Sequence, residues 1–205
     1  MLEPLPARFV EDFFLPRRRF VEEAARGVFR EEGLVSLAYR LSPMVATCGP
    51  AGVNVAPFMV SFLVREEHLA GVVERLRRFV EGGPRSMAEA AGLLLDTVYN
   101  PSIVDPLRLA THAMSRGHTW RNIEATGEAS LGILVPPDKA AYELRARAWV
   151  VEEGPIYEYV NLVHDAVHVA PHGERSHPWF PAIVFEIREI YDNSYQALGR
   201  RIYPP

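Results

Sequence analysis

Residues 115–123 have the sequence Ser-Arg-Gly-His-Thr-Trp-Arg-Asn-Ile, which combines basic and polar side chains with the start of a helix. The spacing of Trp120 and Ile123 predicts a short helix, with Thr119 as its N-cap and Gly127 as its end. The segment places a guanidinium, an imidazole and a hydroxyl at this helix start, where unpaired backbone amides and the helix dipole favour an anion. It is therefore a candidate anion site; the alternative is a capped helix with solvated charges beside it.

Two apolar segments lie upstream of this helix. Residues 43–47 are Pro-Met-Val-Ala-Thr, and residues 53–61 are Val-Asn-Val-Ala-Pro-Phe-Met-Val-Ser. Gly49-Pro50-Ala51-Gly52 separates them, and the second apolar segment continues to Val64. Extended, apolar residues on both sides of a Gly/Pro turn predict two strands joined tightly, the first within Leu34–Thr47.

Together with residues 119–128, Thr-Trp-Arg-Asn-Ile-Glu-Ala-Thr-Gly-Glu, these segments resemble the flavin reductase-like, FMN-binding split-barrel superfamily. In that family an Asn-x-Ala-Pro-Phe strand precedes a Lys-Asp-Thr-x-x-Asn-Ile helix start that supports the flavin phosphate. The positions that match the helix motif are Thr119, Asn122, Ile123, Thr126, Gly127 and Glu128. Gly117 and His118 stand where the family has Lys and Asp, so this chain departs from the motif at two positions.

The resemblance implies an α+β fold with an antiparallel split β-barrel, and a homodimer with FMN sites near its interface. It also implies a set of cofactor-binding residues: Asn54, Ala56, Pro57, Phe58, Met59, Ser115, Arg116, Gly117, His118 and Thr119. Of these, Arg116, His118 and Thr119 would hold the phosphate, and backbone groups around Ala56–Met59 would lie near the isoalloxazine ring. The flavin would perform the redox step, so no catalytic side chain is assigned.

The activity that the resemblance implies is that of a flavin-dependent oxidoreductase or an NAD(P)H:flavin reductase. The alternative within the same family is a protein that binds flavin without turnover. A bound chromophore that NADH or NADPH fails to reduce would distinguish the second from the first.

The other patterns predict one domain, 1–205, with a helical insertion at about 66–114. A helix follows Pro16 and is expected to stop at Gly33. In the insertion, an amphipathic helix covers Leu69–Val80, Ser86 and Glu89 have capping-box spacing, and a helix runs from Asp105-Pro106 to Met114. Residues 93–99 fit a helix or a short strand. The apolar residues Ala129–Val135 predict a buried strand, and alternation of apolar and polar residues predicts two further strands at Tyr142–Ala148 and Ile183–Arg188.

A second group of candidate residues lies near the C-terminus. Residues 164–177 contain four of the seven histidines, at positions 164, 168, 172 and 177. If His164 and His168 are on one helix, their i, i+4 spacing places them on one face, where they and His172 can bind Zn²⁺ or Fe²⁺. A metal-dependent enzyme is therefore the function from a different class. The alternative is a polar loop, which Pro171-His172-Gly173 favours.

Composition narrows the class of partner. The net charge is −4 and the longest basic run is Arg17–Arg19, which argues against a nucleic-acid or anionic membrane surface. We interpret that run as the solvated face of the first helix. No apolar stretch is long enough to span a membrane. The single cysteine, Cys48, cannot form an internal disulfide and is expected to be a buried thiol, and a cytoplasmic location is expected.

Overall fold

A computed structural model of the protein describes residues 2–28, 37–83, 85–135, 140–168 and 178–205. Eight strands within these ranges form one antiparallel sheet with the order β2-β1-β5-β6-β7-β4-β3, and β8 pairs with β7. The strands are β1 (Met44–Gly49), β2 (Gly52–Pro57), β3 (Ser61–Val64), β4 (Val104–His112), β5 (Glu128–Val135), β6 (Ala140–Val151), β7 (Ala182–Asp192) and β8 (Arg200–Tyr203). The predicted α+β class with an antiparallel sheet is confirmed. Its end strands β2 and β3 do not pair in the described ranges, so the sheet is not closed there.

The helices pack on this sheet and on one another. They are α1 (Ala7–Phe9), which continues through a π-helical turn (Val10–Phe14) into α2 (Leu15–Ala25), then α3 (Glu66–Glu81), α4 (Met87–Asp96), α5 (His118–Thr126) and α6 (Pro155–His168). Residues 37–41 are also helical. Helix α2 packs on α4, and α3 packs on α6. In the part of the chain that the structure describes, no helix is both long and apolar enough to cross a membrane.

The N-terminal helical segment both starts and ends earlier than the sequence pattern predicted, and aromatic side chains attach it to the sheet. Phe9, Phe13 and Phe14 are buried, because the helical segment starts at α1 rather than near Pro16. The Tyr142 hydroxyl on β6 donates a hydrogen bond to Asp12 at 2.5 Å. The expected stop at Gly33 is wrong, because α2 already ends at Ala25 with Arg26 as its C-cap; Gly33 itself lies outside the described residues.

The predicted hairpin forms, but the long apolar segment after its turn is two strands. Gly49 pairs with Gly52 and Met44 pairs with Pro57, which gives the tight β1–β2 turn. After β2, residues 58–60 separate the chain from β1. The following strand, β3, pairs with β4 at the opposite edge of the sheet. Pro57 has no N–H to continue the ladder, which is consistent with a strand end at this position.

Three other local predictions are wrong. Residues 104–112 are strand β4 and not a helix after Asp105, because β4 pairs with both β3 and β7 and this pairing outweighs the local cap signal. The helical part of the insertion predicted at about 66–114 therefore ends at Asp96, and the 93–99 segment is helical to that residue. Residues 37–41 are helical rather than extended, while residues 34–36 lie outside the described ranges.

Two side chains also differ in burial from the sequence expectation. Arg17 is 0% exposed although the Arg17–Arg19 run was expected to be solvated, because α2 turns this one side chain inward towards Phe13, Phe62 and Tyr99. Cys48 is exposed rather than buried. It lies one residue after the buried Thr47 on β1, and alternate residues of a strand face opposite sides.

The capping box at the start of α4 is confirmed and gives a pH-dependent prediction. The Ser86 hydroxyl accepts from the Glu89 backbone N–H, and the Glu89 carboxylate accepts from the Ser86 backbone N–H at 2.8 Å. This backbone bond, then the Ser86 side chain, lowers the pKa of Glu89 below 4.5. A lowered carboxyl pKa contributes stability above the unfolded pKa, and this contribution is lost as pH falls through the folded pKa.

We therefore expect Glu89→Gln to lower the melting temperature relative to wild type at pH 7, and we expect this difference to shrink below about pH 4. Thermal unfolding followed by circular dichroism at pH 7, 5 and 3 measures it. Glu81→Gln, at the exposed end of α3, is the matched control. A difference that is the same at pH 3 as at pH 7 would contradict the ionised capping box.

Candidate functional site

A cavity of about 690 Å³ lies between the sheet and helices α2, α4 and α6. Its walls are mainly apolar, with polar groups gathered at the end of β4, on β2 and at the start of α5. This volume and this combination of apolar walls with a few polar groups are typical of a site for a small organic ligand.

Strand β2 turns its sequence-predicted residues towards the cavity. Asn54 and Ala56 line it, as do Pro57, Phe58 and Met59 where the strand ends. Val53 and Val55, which alternate with Asn54 and Ala56 along the strand, lie on the opposite face of β2 and are 81% and 55% exposed. Alternation along a strand therefore separates a cavity-facing row from an outward-facing apolar row.

Helix α5 starts at the cavity wall. Its N-cap is Gly117 in an extended conformation, with no side-chain cap, and Gly117, His118, Thr119 and Trp120 line the cavity. The prediction that Thr119 is the N-cap is wrong by two residues. Because the first-turn amides of a helix have no intrahelical partners, this end of the cavity presents backbone N–H donors and the positive end of the helix dipole.

One hydrogen bond connects the two predicted segments. The Asn54 side-chain amide donates to the Thr119 hydroxyl at 2.5 Å, so β2 and the first turn of α5 meet at a defined distance. Gly127, in a left-handed conformation with φ of 68°, ends α5 as the sequence predicted. The described structure thus brings Asn54, Ser115, His118 and Thr119 to one cavity.

Asn122 connects α5 to the β1–β2 turn through hydrogen bonds. It is fully buried, and its side-chain amide donates to the Gly52 carbonyl at 2.7 Å and to the Thr47 hydroxyl at 3.2 Å. Its side-chain oxygen accepts from the Ala51 N–H at 2.9 Å. The motif asparagine therefore joins α5 to the β1–β2 turn and does not line the cavity.

Arg116 is placed differently from the other predicted cofactor-binding residues. Its guanidinium donates to the Glu152 carboxylate at 2.5 Å and lies 5.0 Å from the Trp120 ring centroid. The side chain is 69% exposed, and Arg116 is not among the described residues that line the cavity. The remaining predicted residues all line it.

The two histidines on α6 lie at this same cavity. His164 and His168 are on successive turns of the helix, as their i, i+4 spacing predicted for a helical segment, and both line the cavity. His112, the last residue of β4, lies against His164, with the two ring centroids 5.1 Å apart. His172 and the predicted loop at 171–173 lie outside the described residues.

The described histidines do not form a metal site by themselves. No group of three or more His, Cys, Asp or Glu side chains in the described ranges is arranged to hold a metal ion. The titratable residues on the described cavity wall are Tyr99 and four histidines, His112, His118, His164 and His168. No Asp, Glu, Lys or Arg is among the described lining residues, so the described part of the cavity wall carries no carboxylate.

No protein-family model matches this sequence, and no curated protein sequence matches it. Solved structures resemble it at low identity. HupZ from Group A Streptococcus is 15% identical, with a TM-score of 0.45, over 84% of this chain and 98% of that chain. An FMN-binding protein from Syntrophomonas wolfei is 10% identical, with a TM-score of 0.43, over 91% and 92% of the two chains. An F420 reductase is 14% identical, with a TM-score of 0.42, over 76% and 93%. At these identities and TM-scores, neither a family nor a function follows from the likenesses.

Several lining residues carried no functional signal in the sequence. Helices α4 and α6 contribute Ala90, Ala91, Leu94, Val160 and Val163, which have the spacing of ordinary core positions. His112 was also missed, because the segment around it was interpreted as a helix. Its association with His164 depends on the pairing of β4 with β7, which sequence spacing does not reveal.

Proposed function

We propose that the protein binds FMN in the cavity, with the phosphate at the first turn of α5 and the isoalloxazine ring along the end of β2. The observation that supports this most directly is the meeting of Asn54 and Thr119 at one wall. The donors around them suit a phosphate, and the apolar walls suit an aromatic ring.

Different groups of residues would bind the phosphate and the ring of FMN. The first-turn N–H groups of α5, with the Ser115 hydroxyl and the His118 imidazole, would donate hydrogen bonds to phosphate oxygens. Backbone groups around Ala56–Met59 would orient the ring, and Phe180 and Ile183 would exclude water from it. Bound FMN supplies the redox chemistry, while these residues supply orientation and electrostatics.

We further propose that the protein is a flavin-dependent oxidoreductase with NAD(P)H as its reductant. A flavin-binding protein without turnover remains the alternative from the same resemblance. Addition of NADH or NADPH to the flavin-loaded protein, followed by the flavin absorbance, separates the two. Loss of absorbance supports the reductase; an unchanged spectrum with both nucleotides supports binding without turnover.

FMN binding is tested by comparing FMN with riboflavin, which lacks the phosphate. We expect FMN to bind at least about tenfold more tightly, because hydrogen bonds to a charged group contribute about 1.5–3 kcal/mol. Flavin fluorescence quenching measures both dissociation constants. If the protein, after incubation and desalting, retains no FMN, the proposal is wrong.

The variant Thr119→Ala tests the phosphate end of the cavity. It removes the hydroxyl that accepts from Asn54, and we expect FMN affinity to fall by about three- to tenfold while riboflavin affinity changes less. Thr126→Ala, near the other end of α5, is the control. Arg116→Ala is expected to change FMN affinity less than Thr119→Ala, since Arg116 is paired with Glu152. An equal loss for FMN and riboflavin would place Thr119 away from the phosphate.

A homodimer is the proposed assembly, and the outward face of β1, β2 and β5 is its candidate interface. Val53 and Val55 on β2, Met44 on β1 and Leu134 on β5 are exposed apolar side chains. We expect Val55→Glu to shift the sedimentation of a dimer towards monomer, because a charge would replace apolar surface at the interface. Leu198→Glu, an exposed position after β7, is the control. A wild-type monomer at micromolar concentration would contradict the dimer.

A metal-dependent enzyme that uses the histidines of residues 164–177 is a separate candidate. The shared cavity position of His164 and His168 favours this candidate, which predicts stoichiometric metal in the purified protein.

The exposed Cys48, with no second cysteine to pair with, supports the proposal of a cytoplasmic location.

A further inference from the structure

Three imidazoles converge at the part of the cavity formed by β4 and α6. The ring centroids of His112 and His164 are 5.1 Å apart and nearly perpendicular, and those of His164 and His168 are 4.5 Å apart. All three residues line the cavity. The imidazole cluster, as we call these residues, therefore places several ring N–H groups around one volume.

Apolar side chains line the cavity together with the imidazole cluster. Val163, Val167, Phe180 and Ile183 line the same part of the wall, and the Phe180 ring centroid is 6.4 Å from that of His112. Charge interactions are stronger in such surroundings than in water. No carboxylate is among the described lining residues, so an anion in the cavity meets no like charge on that part of the wall.

A buried carboxylate lies beside the central imidazole and is not among the described residues that line the cavity. The Asp165 oxygen Oδ1 lies 3.6 Å from Nδ1 of His164, and Oδ2 accepts a hydrogen bond from the Trp179 indole at 2.8 Å. Asp165 is itself fully buried.

We propose that the imidazole cluster is a subsite for the carboxylate of a small apolar organic acid, which binds in the cavity beside the proposed flavin. The carboxylate would accept hydrogen bonds from the histidine rings, and the apolar body would contact Val163, Phe180 and Ile183. The position of the acid beside a flavin rests on the proposed function, while the subsite itself depends only on the described residues.

Binding of the acid is coupled to protonation. Histidine side chains usually change charge between pH 5 and 8, so the cluster attracts a carboxylate more strongly at the lower end of this range. Among the described residues, Asp165 on α6 lies beside His164, and His118 at the start of α5 and Tyr99 after α4 line the same cavity. On α3, which packs against α6, Arg77 is paired with Glu158 in the first turn of α6.

The test compares phenylacetate with phenylacetamide, which has nearly the same shape and no charge, by isothermal titration calorimetry. We expect phenylacetate to bind about tenfold more tightly than the amide at pH 6, and we expect this preference to fall severalfold at pH 8. Equal affinities at pH 6, or a preference that does not change with pH, would overturn the subsite.

The variants His164→Asn and His112→Asn locate the preference. Each variant is expected to lose most of the preference for phenylacetate and to retain its affinity for phenylacetamide. The control His68→Asn, on the exposed side of α3, is expected to keep the preference. Amide affinity and the melting temperature show whether each variant is folded; if one is not, the other decides. A preference that survives in a folded variant of either residue contradicts the proposed cluster.

The same titrations with and without FMN separate the two proposals. Preference for phenylacetate in a protein that fails to bind FMN supports the subsite and contradicts the proposed flavin function. Tight FMN binding without any preference contradicts the subsite and leaves the flavin function supported.

Discussion

We expect Asn122→Ala to lower the free energy of unfolding by about 2–4 kcal/mol, because one buried side chain makes three hydrogen bonds at the base of the site. The substitution leaves the Thr47 hydroxyl and the Ala51 N–H without these partners. It also leaves a small void where α5 meets the β1–β2 turn. Urea unfolding measured by circular dichroism, at constant m-value, gives the change.

The control for this variant is Asn193→Ala, since Asn193 is exposed after β7. A loss for Asn122→Ala no larger than that for the control would mean that the turn does not depend on this side chain. Gly49 adds a second test of the same contact. A Cβ at Gly49 would lie 2.9 Å from Asn122 Oδ1 and 3.1 Å from its Cα, so Gly49→Ala is also expected to destabilise the protein.

We expect Arg17→Ala to lower the free energy of unfolding by about 3–5 kcal/mol, and Arg17→Met to restore most of this loss. The guanidinium lies 4.9 Å from the Phe13 ring centroid and 5.3 Å from that of Phe62, and it donates to the Val60 carbonyl at 2.6 Å. Alanine removes this packing and leaves a cavity. Methionine fills much of the volume and removes a charge that has no carboxylate partner among its described hydrogen bonds.

The comparison between the two variants is the informative measurement. If packing dominates, methionine is close to wild type in urea unfolding. If the cation–π contacts and the bond to Val60 dominate, methionine is as unstable as alanine, and the packing explanation is wrong. Arg19→Ala, on the exposed side of the same helix, is the control and is expected to change stability by less than about 0.5 kcal/mol.

Local sequence signals predicted the elements whose stability is local. The capping box at Ser86 and Glu89 forms, Gly127 ends α5, and the Gly-Pro-Ala-Gly turn joins β1 to β2. Each of these depends on residues within a few positions of one another. The predicted residues of β2 and of the α5 start also reach a common cavity, apart from Arg116.

Predictions failed where a distant strand or helix sets the environment. Asp105-Pro106 has a good helix-start pattern, but pairing with β3 and β7 makes the segment a strand. Arg17 has the sequence context of a solvated residue, but the aromatic cluster of the first helical segment and β3 buries it. Local propensities differ by less than a kcal/mol per residue, so tertiary pairing and packing readily outweigh them.

By itself the sequence determined the antiparallel α+β class, the β1–β2 hairpin and the presence of helix α5 with its end at Gly127, but not the N-cap of that helix. Only the tertiary structure decided that His112, His164 and His168 share one cavity with the start of α5, because β4 and α6 are more than forty residues apart in the chain. The physical reason is that helix and strand periodicity report which face of an element is apolar. They do not report which other element will cover that face.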